Sequence, residues 1–144
     1  MGRRMVHTPQ MIVMGQEDIE GADPLKLADA IARHRSVASP VSLSLQVSAT
    51  AVSISVHPVD GRVSPAAVID VIRFTPLRRV AISRGELAGR TLDYANIVED
   101  WVRLAEWDGT EPVSFSVPFP GERSLAVLVQ ETGDGRILTA AALD

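Results

Sequence analysis

Residues 41–58 read VSLSLQVSATAVSISVHP, and their alternation sets the class of fold. Val41, Leu43, Leu45 and Val47 alternate with Ser42, Ser44 and Gln46, while Val52, Ile54 and Val56 alternate with Ser53 and Ser55. Successive side chains of a strand point to opposite faces, so each run has one buried and one wetted side. The two runs predict an antiparallel pair. Downstream, Asp60-Gly61 marks a turn, and residues 66–74 form an apolar run that holds Asp70 and Arg73. Residues 77–83 make another run after Thr75-Pro76, and both are predicted as separate strands. Val113, Phe115 and Val117 alternate again, residues 118–121 break the pattern, and residues 125–130 pair with 136–143 across Gly133-Asp134-Gly135.

Residues 96–107 carry two patterns. Ile97, Val98, Trp101, Val102 and Ala105 fit a helical stripe, whereas Val98, Val102 and Leu104 fit part of a strand alternation; we favour the strand. Short strands at regular spacing, with turn signals between them, predict an antiparallel sandwich for residues 41–144. Without cysteine or the usual buried-tryptophan pattern, it is not an antibody-type domain.

Upstream, Met11-Ile12-Val13-Met14, Gly15-Gln16 and residues 17–20 read as strand, turn and second strand. Asp23-Pro24 starts a helix with a mechanism: the carboxylate accepts backbone N–H bonds, and Pro loses nothing at the first helical position. Leu27, Ile31 and His34 recur at helical spacing with Ala28 beside them, and the helix should end near Arg35. A two-stranded hairpin with one helix is too little to fold alone, so it must dock. Residues 36–40, SVASP, read as a linker. The expected class is α+β, mainly β, with segments 1–35, 36–40 and 41–144.

The chain has 144 residues, 46% of them hydrophobic, enough for one core plus a small docked unit. A net charge of -4 with no basic cluster excludes nucleic acid as the main partner. With no cysteine, disulfides, thiolate metal sites and thiol chemistry are excluded within this chain. No apolar stretch reaches the length of a signal peptide or a membrane span. His7, His34 and His57 stand apart, without a ligand at metal spacing, and no metal or cofactor is expected. Ser83, Ser124 and Thr139 lack a nucleophile-elbow context or a base assignable from sequence.

The densest polar pattern is residues 80–98, VAISRGELAGRTLDYANIV. Arg84, Glu86 and Arg90, with Gly85 and Gly89 between them, make a charged loop between two apolar segments, followed by Tyr94 and Asn96. It reads either as a salt-bridged connection or as a binding loop.

The blocks Arg84-Gly85-Glu86, Gly89-Arg90-Thr91-Leu92, Tyr94-Ala95-Asn96-Ile97-Val98, Trp107-Asp108-Gly109, Val127-Leu128-Val129-Gln130 and residues 137–141 resemble the domain-of-unknown-function family 1223. Thr8-Pro9-Gln10-Met11-Ile12-Val13 is similar to its middle segment. Leu87 departs from that family, which usually shows Asn there. The resemblance implies an exported bacterial parent, periplasmic or secreted, with a thioredoxin-like domain carrying an N-terminal cysteine pair and a β-rich C-terminal region. It also implies that Pro9 is the thioredoxin-type cis proline with Thr8 as partner. On that footing this chain is the C-terminal part. It would be a docking module without catalysis of its own, with thiol redox chemistry only in a longer parent. The rival expectation is an independent sandwich that homodimerises through its hairpin and helix, and a third is an enzyme built on the loop from Arg84 to Tyr94.

Overall fold

A computed structural model of the chain describes residues 10–119, 121, 123–133 and 135–143. Strands β1 (Gln10–Val13) and β2 (Glu17–Glu20) form an antiparallel hairpin, followed by helix α1 (Pro24–Arg35). Met14 and Gly15, at the centre of the hairpin turn, both take left-handed φ, 53° and 69°. Asp23 caps α1 by accepting the Lys26 N–H at 3.1 Å, and Pro24 stands in its first turn. The buried line of the helix is Leu27, Ala30 and His34, and Ile31 and Ala28 point outward. This corrects the predicted stripe by one position: Ala30, fully buried, and not Ile31 closes the cluster with Val13 and Ile19 of the hairpin.

β3 (Val41–Val47), β4 (Ala51–Pro58) and β7 (Val113–Pro118) make a three-stranded sheet in the order β3-β4-β7. β5 (Ala67–Ala81), β6 (Thr91–Trp107), β8 (Ser124–Glu131) and β9 (Ile137–Leu143) make a four-stranded sheet in the order β6-β5-β8-β9. Neighbours in both sheets run antiparallel. Val52, Ile54 and Val56 of one sheet and Ile69, Val71, Leu125, Val127 and Val129 of the other are fully buried in a shared core. Each such side chain contributes about 2 kcal/mol. The hairpin–helix unit has only Val13, Ile19 and Ala30 buried, so stability resides in the sandwich.

Two expectations change. Thr75-Pro76 does not separate two strands; β5 runs through it as one strand from Ala67 to Ala81. The reason is positional: β8 accompanies β5 only as far as Phe74, opposite Ser124, so Pro76 lies where one side of β5 has no neighbouring strand among the described residues. Residues 96–107 are strand, yet β6 is irregular, with left-handed φ at Asn96 and register shifts facing Ile69/Asp70 and Arg73/Phe74. Those irregularities spoil the alternation that a regular strand would print on the sequence.

Beyond Phe74 the four-stranded sheet narrows to a two-stranded arm, in which residues 75–81 pair with 91–97. Seven residues per strand give a reach of about 23 Å. The arm leaves from the end of the sandwich where β8 begins. The hairpin–helix unit is joined at the other end, where β9 begins: the Ile137 N–H donates to the Met14 carbonyl at 2.8 Å. There the backbone of Gly15 lies so close to Gly135 that a Cβ on Gly15 would overlap the Gly135 carbonyl oxygen.

Candidate functional site

The structure separates the residues that the sequence singled out. Thr8 and Pro9 lie outside the described residues. Arg84, Glu86 and Arg90 stand at the arm tip, at the end of the sandwich away from the unit that Gln10 begins. Tyr94 sits on the arm opposite Arg78, and Asn96 lies beside the Thr75/Ile97 and Leu77/Ala95 pairs, next to Pro76.

The tip is ordered by its own backbone. Ile82 N–H donates to Arg90 O and Gly89 N–H to Ile82 O, both at 2.8 Å, while Ala88 N–H reaches Gly85 O and Arg90 N–H reaches Leu87 O at 3.1 Å. Gly85 and Gly89 each have φ of 86°, a conformation that side chains rarely adopt. Among the described residues, Arg84, Glu86 and Arg90 form no ion pair, so the salt-bridged reading of this loop is corrected. The ion pairs lie further down the arm: Arg79 with Asp93 at 3.0 Å, and Arg78 and Arg123 with Glu99 at 3.4 and 4.0 Å. Leu87 is also exposed, so the tip presents one apolar side chain among three unpaired charges.

A second cluster was not singled out from the sequence. Asp70, only 3% exposed, accepts from Trp101 Nε1 at 3.0 Å and from Arg103 Nε at 3.2 Å. Its signal was a carboxylate inside an apolar run, where an unpaired charge is too costly to persist. The outward face of the strand carries it: Ile69 and Val71 enter the core, and Asp70 and Ile72 take the other side. The carboxylate fixes an indole and a guanidinium that are themselves largely solvent-facing.

At the far end of the sandwich, a cleft of about 430 Å³ separates the hairpin–helix unit from β9. Glu17 binds both Arg33 and His34, with His34 Nε2 at 3.2 Å, and Ser39 Oγ lies 2.8 Å from the carbonyl oxygens of Val41 and Leu138. That hydroxyl is engaged by backbone and makes no bond to His34, so among the described residues of the cleft no nucleophile is paired with a base. Ser83, Ser124 and Thr139 likewise meet no histidine or carboxylate among the described residues. Nor do those residues contain a group of three His, Cys, Asp or Glu that could hold a metal, or a helix long and apolar enough to cross a membrane.

The outer side of the hairpin–helix unit has a different character. Met11, Ile19, Ala22, Pro24 and Leu27 line an apolar groove of about 440 Å³, with Asp23 on its rim. Beside it lies an acidic depression holding Asp18, Glu20 and Asp29, with Lys26 and Arg33. Ile12, 63% exposed, and Leu25, 78% exposed, extend the apolar surface. The groove offers contact area and no reactive group.

Comparison with known proteins follows the same lines. A family model described as "Protein of unknown function (DUF1223)" matches residues 1–130. No curated protein matches. A crystal structure of a protein from Agrobacterium tumefaciens is similar at 24% sequence identity with a TM-score of 0.77. The alignment covers 99% of this chain and 64% of that one, so this chain spans about two thirds of that relative's length. At that identity the likeness establishes a shared fold.

Proposed function

The chain belongs to the DUF1223 family of proteins of unknown function, and from that footing we propose that it acts by docking and is without catalysis of its own. The observation that carries this reading is the apolar groove of the hairpin–helix unit, built from Met11, Ile19, Pro24 and Leu27 beside a core of only three buried side chains. Met11, Ile12 and Leu25 of the same unit are exposed, and contiguous apolar surface of this kind marks a place of contact. The β1–β2–α1 order after Thr8-Pro9 supports its reading as the closing part of a thioredoxin-like fold, with Thr8 and Pro9 near a thiol site held by a longer parent. Thiol redox chemistry then belongs to that parent, exported in the bacterial cell, and this part supplies the docking surface. The greater length of the Agrobacterium relative is consistent with that arrangement.

The test joins intact-mass analysis of the protein made by its own cell to hydrogen exchange of residues 10–35. Slower exchange of Gln10–Val13 in a longer, cysteine-bearing native product than in the 144-residue chain supports the reading. Equal exchange in the two refutes it. A second reading, self-association through the hairpin and helix, is favoured by Met11 and Ile12, which are exposed on a four-residue strand with one neighbour among the described residues.

A further inference from the structure

We propose that the outer face of the β5–β6 ribbon binds a neutral oligosaccharide, with Trp101 and Tyr94 as stacking platforms and Arg103 as a hydrogen-bond donor held in place by Asp70. The site is independent of the hairpin–helix groove and of the docking proposed there.

Two observations set this face apart from an ordinary wetted sheet. The outward row of the three-stranded sheet is Ser44, Ser55 and Ser114, small hydroxyls side by side. On the four-stranded sheet the outward pairs are Asp70 with Leu128 and Ile72 with Ala126, so apolar side chains line the ground next to Trp101. Trp101 itself pairs with Ile72 and is 55% exposed. The second observation is Asp70. A buried carboxylate adds little to stability over an apolar residue of similar volume. Here it takes the indole N–H of Trp101 at 3.0 Å and the Arg103 Nε–H at 3.2 Å. Those bonds orient two exposed groups before anything binds, which a solvated surface does not need and a binding site does.

The chemistry of these groups selects the ligand. The indole N–H is spent on Asp70, so Trp101 offers its ring face. The guanidinium of Arg103, bonded to the same carboxylate, disfavours a cation on that ring. A polyanion would need free guanidinium groups, whereas Arg78, Arg103 and Arg123 are each within 4.0 Å of a carboxylate, Glu99 or Asp70. Glu106, opposite Val68 on the same face, opposes a polyanion further. Arg103 gives only its Nε to Asp70, and its exposed terminal N–H groups suit hydroxyl oxygens. A pyranose has both complementary parts, an apolar C–H face for the ring and a rim of hydroxyls for the guanidinium.

The arrangement is repeated along the ribbon. Tyr94, also exposed, pairs with Arg78, and Glu99 holds Arg78 as Asp70 holds Arg103. Ile72 and Arg78, the partners of Trp101 and Tyr94, are six positions apart on β5, so both rings start from one face about 20 Å apart. Val98, exposed and paired with Phe74, lies between them. That span fits a short oligosaccharide and exceeds a single sugar.

Calorimetric titration of the 144-residue chain with cellotetraose, xylotetraose, mannotetraose, maltotetraose and chitotetraose, with tetragalacturonate as the acidic control, tests this. At least one neutral tetrasaccharide is expected to bind with no dependence on salt and to shield Trp101 from acrylamide quenching. Trp107 is buried and serves as the internal reference. The matching disaccharide, which reaches one ring, should bind about tenfold more weakly, and Tyr94→Ala should bring the tetrasaccharide down to that level. Trp101→Ala should abolish binding while unchanged Trp107 emission shows an intact core. Asp70→Asn, which keeps the buried shape, should weaken binding by about tenfold with the same Trp107 emission. Silence from every neutral sugar overturns the proposal, as does binding that survives Trp101→Ala or a preference for tetragalacturonate that fades in salt. A protein held by the immobilised chain and lost with Trp101→Ala, with no sugar bound, makes this face a protein contact and overturns the assignment of a glycan.

Discussion

Gly15→Ala is expected to unlatch the hairpin–helix unit while leaving the sandwich standing. Gly15 has φ of 69°, and holding an L-residue there costs about 1 kcal/mol. The added Cβ would overlap the Gly135 carbonyl oxygen and come within 3.1 Å of its carbonyl carbon, so the two turns must part. Parting them loses the Ile137 N–H to Met14 bond, worth about 1 kcal/mol, and the packing along the same seam. The total, about 3 kcal/mol, falls on a unit with three buried side chains, and each 1.4 kcal/mol is tenfold in an equilibrium. Hydrogen exchange by mass spectrometry should show residues 10–35 exchanging on the order of 100-fold faster, with β4, β5 and β8 unchanged. Gly21→Ala is the control, since Gly21 has φ of 71° but nothing within 4 Å of an added Cβ, and it carries the conformational cost alone. If Gly15→Ala speeds exchange in β8 as much as in β1, or matches Gly21→Ala, the idea of a separately held unit is wrong.

The Asp70 cluster predicts an asymmetry. Asp70→Ala frees a largely exposed indole and guanidinium to water and should cost ~1–2 kcal/mol in urea unfolding. Trp101→Phe combined with Arg103→Met strands the buried carboxylate and should cost ~3–5 kcal/mol, and equal costs would contradict the account. Gly109→Ala should destabilise by more than ~2 kcal/mol in thermal unfolding, because Gly109 has φ of 84° and an added Cβ would lie 2.8 Å from the Ser64 carbonyl carbon and 2.9 Å from Pro65 O. The Thr110 N–H, and then its hydroxyl, hold the Asp108 carboxyl below its ordinary value. A lowered folded-state pKa contributes stability that is present above the unfolded value of 3.8 and is lost as pH falls through the folded one. The melting difference between wild type and Asp108→Asn should therefore shrink below pH 3.8, and a difference that persists in stronger acid would refute this role.

The class of fold was legible because burial writes itself on a strand with period two. Val52, Ile54 and Val56 alternate in the sequence and are all fully buried, and the closing hairpin across residues 133–135 was equally plain. The helix start was legible from Asp23-Pro24, which acts through local bonds. What failed depended on distant neighbours. Whether Pro76 breaks a strand depends on where β8 begins, about fifty residues later, and whether Ile31 or Ala30 is buried depends on how the hairpin packs on the helix. At the candidate site the tip residues were found, but not that they form no ion pair among the described residues. The Asp70 cluster joins residues more than thirty positions apart, a separation that no local pattern records.

The order of the four-stranded sheet also bears on how the chain emerges during synthesis. β5 and β6 can pair as soon as both are made, yet β8, the other neighbour of β5, starts 50 residues after Phe74, its first partner. At 5–20 residues per second, residues 67–74 therefore wait for about 2.5–10 s or longer with that side bare. The arm stretch of β5 is guarded by Pro76, Arg78 and Arg79, but the stretch AVIDVIRF has only Asp70 and Arg73 to interrupt it. Nascent-chain aggregation should thus begin at this interior strand, the best-buried part of the finished sheet, and slowing translation between β6 and β8 should aggravate it.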